Sequence, residues 1–303
     1  MMKTNLRRRS GFSLVEILTA LTILAIIGVA MTKMIMTQTR SFQFENSGRR
    51  ARTTARSAMN IMITDLRMVQ DNGGIDSIDA TNNRWIEIRT PYVFGVVCEV
   101  NASYAMLGLV PVDSFQTVSS KYAGYAVRDK TTGVYGYSAA GTSDTIKVQD
   151  VSKCHGPGYY PDTATVSGRS GIVVKVTPGP PAGTAVGDPA FVYQRVRYEF
   201  KGSGIYANRL GLYRKIMGRA NTDSLWEELV APFSSTARFR YFVNPSNYND
   251  TSSTIAPTQA NLNKIRGFQL YLPAESSDTV PGHTAPQYAN TTTAVFFKNT
   301  RVQ

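Results

Sequence analysis

Glu16 sets a carboxylate inside an otherwise apolar run, Phe12-Ser13-Leu14-Val15-Glu16 and then Ile17 to Met31, interrupted only by Thr, Ala and Gly. A charged side chain at membrane depth costs at least about 2.5–3.5 kcal/mol, so it persists where it has a partner and a task. A segment that needed only to be apolar would carry Leu or Val there. The chemistry asked of Glu16 is therefore ion pairing with a cation that also lies in or near hydrocarbon.

Residues fit for catalysis are sparse by comparison. There is no Gly-x-Ser-x-Gly elbow, no His-Glu-x-x-His pair and no Gly-Lys-Ser/Thr phosphate loop. Gly202-Ser203-Gly204-Ile205-Tyr206-Ala207 fits a dinucleotide fingerprint in form, yet strand-like residues flank it where a helix must follow. A hairpin turn is the better account. Asp223, Glu227 and Glu228 lack the regular oxygen spacing of a calcium loop and are expected on the exposed face of a short helix from Ser224 to Val230. No enzyme activity, cofactor or metal is expected.

The elements that position Glu16 begin with a basic leader. Lys3, Arg7, Arg8 and Arg9 precede the span, while Lys33 and Arg40 follow it sparsely, so the N-terminus should stay cytoplasmic and the rest be exported. No proline occurs between Met1 and Thr90. Ala51, Ala55, Ala58, Met62, Leu66 and Val69 recur at one-face helical spacing, with Arg49, Arg52, Arg56, Asn60 and Arg67 largely off that face. Asp71-Asn72-Gly73-Gly74 then stops the helix. The pattern predicts one helix from Phe12 to about Val69, apolar all round at first and amphipathic later, with Gly28 and Gly48 as points of bending.

From Ile75 the period changes to two, with frequent Gly, Pro, Asn and Ser. Trp85-Ile86-Glu87-Ile88 and Val93–Val100 read as the first strands. Val196/Tyr198/Phe200, Leu212–Ile216, Phe239/Tyr241/Val243, Ile265–Leu272 and Ala294–Phe297 follow. The fold class is α+β: a long N-terminal helix packed on a C-terminal antiparallel sheet domain. The divisions are a leader at 1–11, a helix at 12–70 that crosses the membrane over about 12–32, and a head at 71–303 with a large insertion near 95–188.

The opening residues resemble a known signal. Gly11-Phe12-Ser13-Leu14-Val15-Glu16 behind a short basic leader is similar to the N-terminus of type IV prepilins and type II secretion pseudopilins. The resemblance implies that a prepilin peptidase cuts between Gly11 and Phe12 and N-methylates Phe12. It implies Glu16 as the assembly carboxylate, with other pilins and an inner-membrane assembly platform as partners. Two alternatives compete: an ordinary secretory signal cut after Gly28-Val29-Ala30, and a plain signal anchor. The first leaves Glu16 unexplained inside its apolar core; the second explains neither Gly11-Phe12 nor Glu16.

Cleavage before Phe12 would create an ammonium group. A neighbouring subunit's Phe12 amine could then meet Glu16, satisfying both charges and fixing the axial register. Loss of Lys3, Arg7, Arg8 and Arg9, four cations, takes the formal net charge from +12 to +8.

Towards the C-terminus, Gly211-Leu212-Tyr213-Arg214, Trp226-Glu227-Glu228-Leu229-Val230, Ile265-Arg266-Gly267-Phe268 and a final Phe296-Phe297-Lys298-Asn299 resemble J-class pseudopilins and W-class minor pilins. Lys298 stands where that family often has Arg. The middle, roughly Gly95 to Asp188, resembles neither class. Within it Cys98 and Cys154 are the only cysteines, and an exported, oxidising location favours a disulfide over two buried thiols. A zinc site from Cys98, Cys154, His155 and His283 lacks the usual ligand spacing. Tyr122, Tyr125, Tyr135, Tyr137, Tyr159 and Tyr160, interleaved with Lys121, Arg128, Lys130, Lys147 and Lys153, suit either stacking on nucleic acid or plain twisted hairpins. Hairpins are favoured, and nucleic acid is not the expected partner. The expected role is a minor pilin or pseudopilin in the inner membrane and then the filament, with a tip adhesin or DNA-uptake subunit as the alternative.

Overall fold

A computed structural model describes residues 13–70, 72–109, 122–139, 145–149, 154, 172–217, 225–243 and 259–297. Helix α1 (Leu14–Leu66) has 53 residues, so it is about 80 Å long at 1.5 Å per residue. It continues through Gly28 and Gly48 without a break. Arg67 N–H still bonds to Ile63 O, then Asn72 and Gly73 adopt left-handed backbone at φ 56° and 109° and turn the chain away. Gly74 has to be glycine, because a Cβ there would collide with the Gln70 carbonyl.

The six apolar positions singled out on the second half of α1, Ala51, Ala55, Ala58, Met62, Leu66 and Val69, are all fully buried. Three alanines let the helix approach the sheet closely, while Met62 and Leu66 each contribute about 1.5–3 kcal/mol on burial. Arg49, Arg52, Arg56, Asn60 and Arg67 are exposed, as the spacing predicts. From Leu14 to Phe44 the helix touches no core, and its large apolar side chains stand open.

Thirteen strands among the described residues form one antiparallel sheet. They are β1 (Ile75–Ile78), β2 (Trp85–Asn101), β3 (Tyr104–Leu109), β4 (Gly124–Arg128), β5 (Tyr135–Ala139), β6 (Ile146–Gln149), β7 (Ile172–Val176), β8 (Pro189–Gly202), β9 (Leu210–Met217), β10 (Glu227–Phe233), β11 (Arg238–Val243), β12 (Ile265–Glu275) and β13 (Tyr288–Phe296). The main path runs β11-β12-β10-β9-β8-β2-β3-β7-β6, with β13 on β12, β1 on β2, and the β4–β5 hairpin on β8. Helix α1 packs over β13, β12 and β10. The core beneath it gathers Ile86, Val196, Tyr198, Phe200, Phe233, Phe239, Phe268 and Leu270.

The two long strands β2 and β8 carry the sheet past this core into a second one, built on Val93, Val97, Leu107, Tyr122, Tyr125, Val127, Val174 and Val192. Trp85–Ile88 and Val93–Val100, expected as separate strands, are one strand with a register shift between Pro91 and Val93. Pro91 has no N–H for the ladder, and a bulge absorbs it.

Two further expectations are corrected. The segment expected as a helix from Ser224 to Val230 forms strand β10 from Glu227, pairing with β9; Ser224 itself lies outside the described residues. Tertiary pairing overrides the local helical pattern there. In β11, Phe239 and Tyr241 are buried as the alternation predicts, but Val243 is 36% exposed while Phe242 is buried. Phe242 keeps to the opposite face, where it packs on Phe296 with ring centroids 4.8 Å apart, and Val243 follows a register shift at the end of the strand.

Candidate functional site

Ser13 opens α1 from extended backbone, φ −69° and ψ 148°, and serves as its N-cap. Glu16, three residues on, returns the bond. Its carboxylate accepts from Ser13 N–H at 2.9 Å, and its own N–H donates to Ser13 Oγ at 3.2 Å. This is a reciprocal capping box, and the negative charge also faces the positive end of the helix dipole. The Ser-x-x-Glu spacing in Ser13-Leu14-Val15-Glu16 carried that signal, and reading Glu16 only as an intermolecular ion-pair partner misses it. Gly11 and Phe12, the processing pair, lie outside the described residues.

Beyond the cap the segment is built for hydrocarbon. Thr19 Oγ1 donates to Val15 O and Glu16 O, both at 3.0 Å, and Thr22 to Thr19 O at 2.8 Å. Each hydroxyl is satisfied by its own backbone, so Glu16 is the one charge left over among the described residues of the span before Lys33. Leu14, Ile17, Leu21, Leu24 and Ile26 are all more than half exposed. The helix is long and apolar enough to cross a membrane.

The other end of α1 is tied to the head by a site the sequence reading missed. Tyr198 O–H on β8 donates to Asp65 Oδ2 at 2.6 Å, and Arg214 on β9 donates to the same oxygen at 2.9 Å. Burial, and then the Asp65 carboxylate, push the Tyr198 phenol far above its ordinary value. These partners lie 133 and 149 residues from Asp65, beyond any local pattern.

Residues 6–32 match the prokaryotic N-terminal methylation motif. That match supports a place in the type IV pilin-like family. It implies processing by a prepilin peptidase and partners of pilin type, and together with α1 it fits a protein anchored in a membrane. No curated protein and no solved structure matches the chain.

The remaining candidates resolve into structure. Cys98 and Cys154 form a disulfide with Cα atoms 5.3 Å apart, packed with Met106 and Val173. Its sulfurs are thereby unavailable to zinc; His283 stacks near Phe44 instead, with ring centroids 5.6 Å apart, and His155 lies outside the described residues. Glu228 does not face solvent as a calcium ligand. It accepts from Ser203 Oγ, Gly204 N–H and Tyr213 O–H at 2.5, 3.0 and 2.9 Å, bracing the Gly202–Ala207 segment as the β8–β9 hairpin turn. Asp223 lies outside the described residues.

Tyr122 and Tyr125 are fully buried, and Tyr135 and Tyr137 pack on Phe191 at 5.0 and 6.1 Å. Tyr159, Tyr160, Lys121 and Lys153 lie outside the described residues. Beside Tyr137, Arg89 pairs with Asp76, whose other oxygen is 3.4 Å from Arg195; Arg195 also lies 3.3 Å from Glu87. An open crevice along α1, lined by Asn46, Arg49, Arg50, Thr53 and Tyr206, offers cations and hydroxyls but no acid–base pair.

Proposed function

We propose that this chain is a structural subunit, a minor pilin or pseudopilin of J or W type, cut between Gly11 and Phe12 and methylated at Phe12. The observation that carries the reading is the N-terminal methylation motif at residues 6–32, running into a helix whose first half meets nothing among the described residues that hides its apolar surface. That surface is suited first to lipid and then to the matching helices of other subunits. In this reading α1 crosses the inner membrane once with its N-terminus in the cytoplasm, and residues 71–303 are exported.

Glu16 is the register device. In the single chain its carboxylate is occupied by Ser13 N–H; in the filament it meets the ammonium of a neighbour's Phe12. A hydrogen bond to a backbone N–H is a smaller compensation for a carboxylate in hydrocarbon than a full opposite charge, which gives the exchange its direction. The second core, on strands spanning about residues 95–188, is the inserted lobe, and so bulky a head suits few copies or a place at the tip. Against the alternative of an adhesin or DNA-uptake subunit, Tyr122 and Tyr125, among the described residues of that lobe, are spent in its core. The role is non-enzymatic.

The test is to follow two variants through membranes and sheared filaments. Replacing Gly11 should leave an unprocessed form held in the membrane. Glu16→Val should be cut normally and fail to enter filaments; its normal incorporation would refute the register role.

A further inference from the structure

Strand β13 ends the sheet beyond β12, which is its ladder partner among the described residues. Its register runs without a shift from Tyr288 opposite Glu275 to Phe296 opposite Gly267. At the two ends of the ladder Ser276 N–H donates to Gln287 O at 2.7 Å and Phe297 N–H to Arg266 O at 2.9 Å. Bonded pairs alternate in an antiparallel ladder. Ala289, Thr291, Thr293 and Val295 therefore bond to β12, whereas Tyr288, Asn290, Thr292, Ala294 and Phe296 turn N–H and C=O outward. The side chains of those same five residues are exposed.

Proteins block such edges with charges, proline, bulges or brevity. The far end of the sheet does so: β6 is four residues long and carries an exposed Lys147. β13 has nine residues, no charge, no proline and no bulge. Among the described residues it is an edge left open.

We propose that β13 is an assembly surface to which a strand of a different, similarly anchored subunit adds. This surface presupposes that α1 is a membrane anchor. A second copy of this chain joined by the same edge is the wrong occupant. Two identical edges pair antiparallel about a two-fold axis normal to the sheet. Helix α1 lies against that sheet over β13, β12 and β10, so such an axis would point the two anchors in opposite directions. Chains inserted from one side of one membrane exclude that arrangement. The partner is a non-identical chain whose own helix runs parallel to α1. Its strand is uncharged beside Asn290, Thr292 and Ala294. It carries apolar side chains beside Tyr288 and Phe296, which are 68% and 48% exposed, the latter stacked on Phe242 at 4.8 Å.

The experiment places a photoreactive amino acid at Asn290 in the full chain in its own membranes. The expected result is one adduct, with a different chain that carries its own N-terminal methylation motif. Its yield should fall at least about tenfold in Thr292→Pro, which removes only an outward N–H. It should fall equally in Ala294→Lys, which keeps the backbone intact should the proline disturb folding. An adduct with a second copy, with a chain lacking that motif, or one unaffected by both variants overturns the proposal, as does the absence of an adduct. Neither variant touches Gly11 or Phe12, so a failure to find Phe12 as the mature N-terminus would count against the pilin reading separately.

Discussion

Ser13 and Glu16 satisfy one another across the first turn of α1, backbone to carboxylate in one direction and backbone to hydroxyl in the other. The same carboxylate thus has an intramolecular use and a proposed intermolecular one, and the two are separable. Ser13→Ala removes the cap at a cost of about 1 kcal/mol of local helix stability but keeps the negative charge. Incorporation into filaments should be little changed by it, and abolished by Glu16→Val. Equal loss in both, measured by immunoblot of sheared filaments, would make the cap itself the essential feature.

Asp65 joins α1 to β8 and β9 through Tyr198 and Arg214. In Asp65→Ala the phenol and the guanidinium lose a shared acceptor in a largely buried place, which should cost about 1–3 kcal/mol. Thermal unfolding of the full chain in detergent should show a lower melting temperature, with earlier proteolysis between Ala51 and Val69. An unchanged melting temperature would remove this contact as the helix anchor.

The Asp76–Glu87 pair predicts a pH dependence. Burial, and then the bonded and negatively charged Asp76, push Glu87 up to about 7 from 4.5. Burial works against ionisation of Asp76 too, but Arg89, a hydrogen bond from Glu87 and Arg195 together hold it below its ordinary 3.8. The folded chain therefore binds more protons than the unfolded chain between pH 4.5 and about 7. Stability falls as pH rises through that window. Asp76 acts in the opposite sense only below its ordinary value. The head should melt higher at pH 5 than at pH 8, and Glu87→Gln should flatten the slope. A slope of opposite sign would contradict the shared-proton arrangement.

The Cys98–Cys154 bridge spans 56 residues, for which the chain-entropy account gives about 4 kcal/mol. Reduction, or Cys98→Ser with Cys154→Ser, should destabilise the lobe built on Val97, Leu107 and Val174 more than the core under α1. Hydrogen exchange read separately for β3, β7 and β12 distinguishes the two. Uniform loss of protection would mean that both cores unfold together.

What the sequence makes legible is what has a local period. The buried stripe from Ala51 to Val69, the helix stop at Asn72-Gly73-Gly74 and the hairpin at Gly202–Ala207 each follow from residues within one or two turns of each other. The Glu227–Val230 segment is misread as helix because its pairing with Tyr213 and Arg214 is set across the sheet. Val243 is misplaced because a register shift falls just before it, at the last residue of β11. The middle has no local period because its hydrophobic residues serve a second core assembled from β2, β3, β7 and β8, whose members are far apart in sequence. For the site, the carboxylate at Glu16 stands out by its cost, while the cap it forms with Ser13 is visible only in the Ser-x-x-Glu spacing. Asp65 and its two partners have no local signal at all.

The most direct measurement is the mass of the N-terminal peptide of the protein isolated from its own membranes. A chain that begins at N-methylated Phe12 and retains Glu16 four residues on is the predicted result. A chain that begins after Ala30, with Glu16 removed, would contradict the account at its root.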